Sequence, residues 1–221
     1  MKKIGILHTV ESVCKSFTSR IEKEIADVKL NNLLDDYLVT ETKQVGYFPT
    51  QNMKKLYFDL CSLELESPDL IVVSCSSLTP YVKQLCSLFE IGIICIDERM
   101  CHDAAESGNK IAIIATAPTT LGPTVSRIEE NAIHLGKKVE IKTFLVEEAM
   151  EMLSVGNVSA HDEIICSLAD DLSDFDTVVL AQASMASAEE KLKGKTGKLV
   201  LSSPELCIQD IKDYFEKRRG N

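Results

Sequence analysis

The fold is decided by a stretch of nine residues that occurs twice in the chain. Residues 69–77 read DLIVVSCSS, and residues 176–184, which lie 107 positions later, read DTVVLAQAS. Each copy has a short, mainly apolar run between an aspartate and a group of small residues, which predicts a buried strand followed by a turn. Because continuous apolar runs are typical of parallel sheets, the two copies predict two related α/β halves.

The repeat extends towards both ends of the chain. At the same offset of 107 residues the matching pairs are Lys3/Lys110, Ile4/Ile111, Ile6/Ile113 and Thr9/Thr116. At an offset of 106 residues, the apolar run at 93–95 matches the run at 199–201. Buried strands resemble one another in sequence, so the apolar matches alone are weak evidence of a repeat. The polar match Thr9/Thr116, just past the strand ends, does not follow from that resemblance. The pattern therefore predicts an internal duplication.

Apolar runs alternate with segments of helical period along the whole chain. Strands are predicted at residues 4–7, 69–73, 91–96, 111–115, 139–146, 177–180 and 199–201. After the second of these strands, Thr79 is predicted to cap a helix with Pro80 at its first position. We expect an α/β fold of two pseudo-dyad-related lobes, each a parallel sheet flanked by helices. The lobes are residues 1–105 and 106–203, and a C-terminal helix at 204–219 packs back on the first.

Composition and charge exclude several classes of function. The chain has 221 residues, a formal net charge of −10 and no Trp. An acidic chain without a basic stripe among its aromatic residues is unsuited to nucleic acid or to an anionic membrane surface. Its apolar runs are too short for a signal peptide or a membrane span. We therefore expect a cytoplasmic protein.

The cysteines do not form a metal motif. They stand at positions 14, 61, 75, 86, 95, 101, 166 and 207. The sequence contains neither a C-x-x-C pair nor an H-x-x-x-H pair, the spacings that are typical of zinc sites. No metal site is therefore predicted, and most of these thiols are expected to be small core residues. Cys75 differs because it follows a predicted strand and precedes a predicted helix, whose N-terminus lowers the pKa of a thiol. Cys75 is either a base or nucleophile, or one more buried cysteine.

The strand ends also carry groups that suit a carboxylate. Ligands of α/β sheets bind beyond the carboxyl ends of the strands, so two such edges are expected to line a cleft between the lobes. Hydroxyls and backbone N–H groups in these turns favour a small anionic ligand. The candidate ligand residues are Thr9, Ser76, Ser77, Thr116, Thr119, Thr120, Gln182, Ala183 and Ser184. His8 also follows a strand, and a structural role is the simpler interpretation for it.

Three segments together resemble the aspartate/glutamate/hydantoin racemase superfamily. They are residues 72–77, 115–120 and 179–186, in the order and spacing of the family, and the resemblance extends over essentially the whole chain. It implies a two-lobed α/β fold, a homodimer, no metal or other cofactor, and one cysteine from each lobe beside the substrate. Cys75 matches the first of these cysteines. The resemblance assigns the substrate carboxylate to the candidate ligand residues other than Gln182.

The chain departs from the family where the second cysteine is expected, because Gln182 stands there. Inversion of a stereocentre needs a proton donor opposite the base, and a neutral carboxamide does not titrate usefully. Three hypotheses follow. The first is a one-thiol enzyme that decarboxylates or isomerises a small carboxylate. The second is a racemase or epimerase in which His8, Glu11 or another residue replaces the missing thiol, and the third is a carboxylate-binding protein without turnover.

Overall fold

The computed structural model describes residues 1–219, in which strands and helices alternate. The strands are β1 (Lys2–His8), β2 (Val28–Leu34), β3 (Leu70–Val73), β4 (Ile93–Cys95), β5 (Lys110–Ala115), β6 (Glu140–Leu145), β7 (Thr177–Leu180) and β8 (Leu199–Ser202). The α-helices are α1 (Glu11–Glu24), α2 (Tyr37–Val45), α3 (Thr50–Leu65), α4 (Thr79–Leu85), α5 (Glu98–Ser107), α6 (Pro118–His134), α7 (Glu147–Ser154), α8 (Val158–Cys166), α9 (Glu189–Thr196) and α10 (Ser203–Arg219). Short 3₁₀ turns follow β3 at Ser76–Leu78 and β7 at Ala183–Ala188.

The strands form two parallel sheets with the same topology. Their orders are β2-β1-β3-β4 and β6-β5-β7-β8, with four strands in each sheet. The register is also the same, since Ile4 lies opposite Leu70 in the first sheet and Ile111 opposite Thr177 in the second. Each of these residues is matched by the offset of 107, so the duplication read from the sequence extends to backbone pairing. The predicted fold of two α/β lobes, each with a parallel sheet flanked by helices, is confirmed.

The chain divides into two compact units. Within the described residues, the first comprises Met1–Ile96 and residues 207–219, and the second comprises Asp97–Leu206. The division falls nine residues before the expected boundary at 105, because α5 packs on α6 and β7. In the first unit, Tyr214 Oη of α10 donates a hydrogen bond of 2.9 Å to the carbonyl oxygen of Asp69.

Strand β2 was not predicted from the sequence. It lies at the edge of its sheet and pairs with β1 alone, with Asn31 and Asn32 exposed. These two asparagines and Lys29 interrupt the apolar run by which the other strands were recognised. The start of α4 also differs from its prediction. Thr79 is the first helical residue and Leu78 holds the capping position, because the 3₁₀ turn after β3 comes in between.

The cores of the two units explain why the strands are apolar on both faces. In the second unit, Ile114 of β5 belongs to one buried cluster and its neighbours Ile113 and Ala115 to another. Because alternate residues of a strand point to opposite faces, helices cover both sides of this sheet. The first unit packs leucines of α3 and α4 on β1 and β3. Among the described residues, no helix is long and apolar enough to cross a membrane.

Candidate active site

The first unit gathers polar residues at its carboxyl edge, the edge of the sheet where the strands end. Strands β1 and β3 end at His8 and Val73, so Thr9 and the turn that begins at Cys75 follow at the same edge. Thr9 and Ser76 are buried, whereas Cys75 and Ser77 are partly exposed. The side chain of Cys75 packs against the apolar cluster of this unit. The structure therefore brings the candidate residues of the first unit to one edge.

His8 lies inside this edge. Its side chain is 0% exposed, and its Nδ1 lies 2.7 Å from Ser74 Oγ and its Nε2 lies 3.0 Å from Asn32 Oδ1. Burial lowers the pKa of His8, and the hydrogen bond to Asn32 opposes that shift more weakly. The imidazole is thus neutral at pH 7 and joins three neighbouring strands. Glu11, the other named candidate for a second base, is exposed and pairs with Lys15 at 2.6 Å.

The carboxyl edge of the second unit is held by Gln182. Its Oε1 accepts hydrogen bonds from the backbone N–H of Thr116 at 2.6 Å and from Thr116 Oγ1 at 3.0 Å. Because a backbone N–H only donates, the oxygen of the amide must face Thr116 and Nε2 must point away from it. Nε2 has no hydrogen-bond partner within residues 1–219. Gln182 therefore combines a fixed oxygen with an N–H₂ donor that a ligand can use.

The other candidates of the second unit lie beside these two residues. Thr119 and Thr120 are in the first turn of α6, which starts directly after the end of β5, and Thr120 is buried. Ala183 and Ser184 begin the 3₁₀ turn after Gln182, and both are partly exposed. Backbone N–H groups in the first turn of a helix lack intrahelical partners and are donors for an anion. The structure thus brings these candidates to the edge where β5 and β7 end.

At the carboxyl edge of each sheet, a side-chain hydrogen bond links the end of one central strand to the segment after the other. It links β1 to the segment after β3 in the first unit, and the segments after β5 and β7 in the second. We call this hydrogen bond the strand tie. In the first unit it links His8 to Ser74, and in the second it links Thr116 to Gln182. At the offset of 107 residues, Ala115 and Ala181 stand where the first unit has His8 and Ser74. The strand tie has therefore moved by one residue between the copies. This shift was not predicted from the sequence, although the offset of 107 residues aligns the residues concerned.

An acid pair beside His8, in which Asp35 is buried and Asp59 partly buried, was also not predicted from the sequence. Asp35 follows β2, and its backbone N–H donates a hydrogen bond of 2.8 Å to the carbonyl oxygen of His8. Its carboxylate pairs with Lys55 at 2.5 Å. Burial, followed by hydrogen bonding to Asp35, raises the pKa of Asp59 to about 7. The carboxyl group of Asp59 therefore changes its charge close to neutral pH.

One group of side chains has the composition of a metal site. On α5, ligand atoms of His102, Asp103 and Glu106 lie within 4.8 Å of one another. These residues stand on the helix that follows β4, and not at the ends of β1, β3, β5 or β7, where the candidate residues lie. That the protein needs no metal stays a prediction from the sequence.

Fold and candidate residues together define a duplicated α/β protein with a thiol after β3 of one sheet and an amide at the matching place after β7 of the other. The sequence model of the Asp/Glu/Hydantoin racemase family matches residues 41–211. This match covers more than half of the chain, so the protein belongs to the Asp/Glu/hydantoin racemase family, and the resemblance noted above is confirmed.

Solved structures agree with this assignment at the level of the fold. An aspartate racemase homologue from Pyrococcus horikoshii OT3 has a TM-score of 0.72 and 15% identity, over 97% of this chain and 99% of that one. Glutamate racemase isoform RacE1 from Bacillus anthracis has a TM-score of 0.74 and 16% identity, over 98% and 82%. Allantoin racemase from Klebsiella pneumoniae has a TM-score of 0.66 and 13% identity, over 98% and 88%. No curated protein matches the chain.

Proposed function

We propose that this protein is a one-thiol enzyme that acts on a small carboxylate, with Cys75 as its catalytic residue. The observation that carries the proposal is the amide of Gln182 at the place that corresponds to Cys75 in the second unit. A carboxamide neither accepts nor delivers a proton at neutral pH. Chemistry that needs one thiol is therefore favoured over an inversion that needs two.

In this proposal the strand-end turns hold the substrate. Nε2 of Gln182 donates a hydrogen bond to the carboxylate or to an enolate oxygen that develops during the reaction. Hydroxyl and backbone groups supply the remaining contacts to the substrate, and in this proposal no metal ion takes part. They come from Thr9, Ser76, Ser77, Thr116, Thr119, Thr120, Ala183 and Ser184. That the substrate lies in a cleft between the lobes stays a prediction.

Two reactions fit a single thiol. In a decarboxylation, the bond between the α-carbon and a carboxylate breaks, CO₂ leaves, and the electron pair moves into an enolate. The Cys75 thiol then protonates the carbon and regains its proton from water. In an isomerisation, the Cys75 thiolate adds to a double bond, the new single bond rotates, and elimination restores both the double bond and the thiolate. Each reaction leaves Gln182 as a hydrogen-bond donor throughout.

The racemase alternative requires a second proton-transfer group. His8 has no exposed surface, and both of its ring nitrogens have partners. Glu11 lies on an exposed helix surface in an ion pair with Lys15. Neither side chain is placed as an acid or base that meets a ligand, which supports the one-thiol reaction. A carboxylate-binding protein without turnover is the other outcome that an experiment must separate.

The test is a substrate panel in deuterated water, followed by NMR. The panel contains aspartate, glutamate, hydantoins, disubstituted malonates and maleate. We expect product from a malonate or from maleate, its loss in Cys75→Ala, and its retention in Cys14→Ala, which removes another partly exposed thiol. Unchanged turnover in Cys75→Ala would refute the proposal. Exchange of the α-proton with inversion of an amino acid would favour a racemase, and tight binding without product would favour a binding protein.

The homodimer implied by the family is a separate prediction. Sedimentation equilibrium of the whole chain measures it directly, and a single species with the mass of one chain would contradict it.

A further inference from the structure

A row of hydrogen-bonded side chains crosses three strands of the first sheet and ends one residue before Cys75. Thr18 Oγ1 donates to Asn32 Oδ1 at 3.1 Å, and Asn32 Oδ1 lies 3.0 Å from His8 Nε2. His8 Nδ1 lies 2.7 Å from Ser74 Oγ. We call these four residues, Thr18, Asn32, His8 and Ser74, the polar row. It fixes the end of β3 through a side chain in addition to the backbone.

The hydrogen positions in the polar row depend on the orientation of Asn32 as well as on the neutral state of His8. With Asn32 Oδ1 facing Nε2, Nε2–H donates to that oxygen and Nδ1 carries the lone pair. The single hydroxyl hydrogen of Ser74 then lies between two acceptors, His8 Nδ1 at 2.7 Å and the carbonyl oxygen of Leu7 at 3.2 Å. A proton added to His8 would place a charge at a site that is 0% exposed. The polar row is therefore complete at neutral pH.

The second unit shows that the fold does not need this polar row. Ala115 and Ala181 occupy the positions of His8 and Ser74, and both alanines are buried. The backbone bond at the same place is retained, since the N–H of Ala181 donates to Ile114 at 3.0 Å where that of Ser74 donates to Leu7 at 2.9 Å. Buried polar side chains cost free energy unless they are paired, and alanine avoids that cost. Their presence in the first unit alone points to a role in the site.

We infer that Ser74 and His8 are positioning residues that set the geometry of the Cys75 thiol, an inference that rests on the proposed role of Cys75. Successive residues of an extended segment point to opposite faces. A strand tie at Ser74 therefore uses the face opposite Cys75, whereas the strand tie at Gln182 uses the residue that corresponds to Cys75. The strand tie of the first unit thus holds the backbone from which the Cys75 side chain projects.

The test is the rate at which iodoacetamide alkylates Cys75, measured by mass spectrometry of peptide fragments from about pH 6 to pH 10. The full-length chain is used throughout. We expect Ser74→Ala to fold, because Ala181 is compatible with the same backbone. Its alkylation rate at Cys75 should change by about five-fold or more, and the midpoint of its pH profile should move. Ser74→Thr, which keeps the hydroxyl, should restore the profile of the parent.

Two further variants separate positioning from a general loss of stability. Ser154→Ala removes a hydroxyl that donates at 2.7 Å to Glu151 on α7, and it should leave the Cys75 profile unchanged. Asn32→Ala breaks the polar row at an exposed residue and should shift the profile in the same direction as Ser74→Ala, by a smaller amount. A lower melting temperature in both Ser74→Ala and Asn32→Ala with an unchanged Cys75 profile would overturn the inference.

The alkylation rate can be read whether or not a substrate is known. If Cys75→Ala keeps its turnover, the proposed function fails while the effect of Ser74 on the thiol remains measurable. If turnover depends on Cys75, Ser74→Ala should lower kcat by about ten-fold and leave KM within about two-fold, as expected for a residue that acts through the thiol. An unchanged kcat in that case would also contradict the inference.

Discussion

The two sheets agree at the edges where their strands begin and differ at the edges where their strands end. Before β3, Asp69 Oδ2 accepts the backbone N–H of Lys3 at 2.8 Å, and before β7, Asp176 Oδ2 accepts that of Lys110 at 2.9 Å. These contacts are matched by the offset of 107 residues. Both copies of the duplicated unit have therefore kept the same carboxylate in the same structural role.

At the carboxyl edges the same comparison finds substitution instead of retention. His8, Ser74 and Asp35 of the first unit correspond by backbone pairing to Ala115, Ala181 and Val146 of the second. The first unit thus buries polar groups where the second buries apolar ones. Contacts that hold a fold are needed in both copies, whereas a reactive group is needed once. This asymmetry supports the first unit as the source of the chemistry.

The largest effect is expected from Gln182→Glu at the carboxyl edge of the second unit. Glutamate has the same shape and can still accept from Thr116, but it replaces the Nε2 donor with a negative charge. Repulsion of a bound carboxylate and the lost hydrogen bond should raise KM for the substrate found in the panel by roughly 10- to 100-fold. The matched control is Asp176→Asn at the opposite edge, which also changes one charge and should leave KM unchanged. Equal KM values in Gln182→Glu and the parent would remove Gln182 from the site.

A smaller effect is expected from Asp59→Asn, which tests the acid pair of Asp35 and Asp59 in the first unit. The pKa of Asp59 in the folded protein, about 7, lies above the ordinary value, so between these two values the folded state holds a proton that the unfolded state releases. The contribution of Asp59 to stability is therefore fully present below about pH 4 and is lost as the pH rises to about 7. Asparagine can donate to Asp35 at every pH and removes this dependence.

Urea denaturation at about pH 4.5 and pH 8 measures the effect. Between these two pH values, the parent should lose about 1–3 kcal/mol more unfolding free energy than Asp59→Asn does. Asp170→Asn, an exposed substitution in the second unit, is the control and should follow the parent at both pH values. A pH profile of Asp59→Asn that runs parallel to that of the parent would show that the folded protein does not raise the pKa of Asp59.

The sequence predicted those parts of the molecule that depend on local pattern. Buried strands such as β3 and β7 are recognisable because helices cover both of their faces, and residues such as Cys75 and Gln182 are found at their ends by counting. The edge strand β2 lacks that pattern. The contacts between His8 and Ser74 and between Asp35 and Asp59 depend on side chains that are far apart in sequence. Their pairing is set by packing, which no local pattern contains.

The smallest effect is expected from removing the carboxylate that both copies have kept. Asp69→Ala and Asp176→Ala should each lower the melting temperature by roughly 2–4 °C, because each leaves a backbone N–H of a first strand without its side-chain acceptor. Hydrogen bonds from the backbone of Lys110 and Asn109 lower the pKa of Asp176. Its contribution is therefore present at neutral pH and is lost as the pH falls through that lowered pKa.

Thermal melts at about pH 7 and pH 3, together with KM at neutral pH, check this prediction. The two variants should melt alike at the higher pH, the deficit of Asp176→Ala should shrink in acid, and KM should stay within about two-fold of the parent in both. A change of KM in either variant as large as that in Gln182→Glu would mean that the edge where the strands begin also acts on the ligand. The division between a shared structural edge and a diverged chemical edge would then fail.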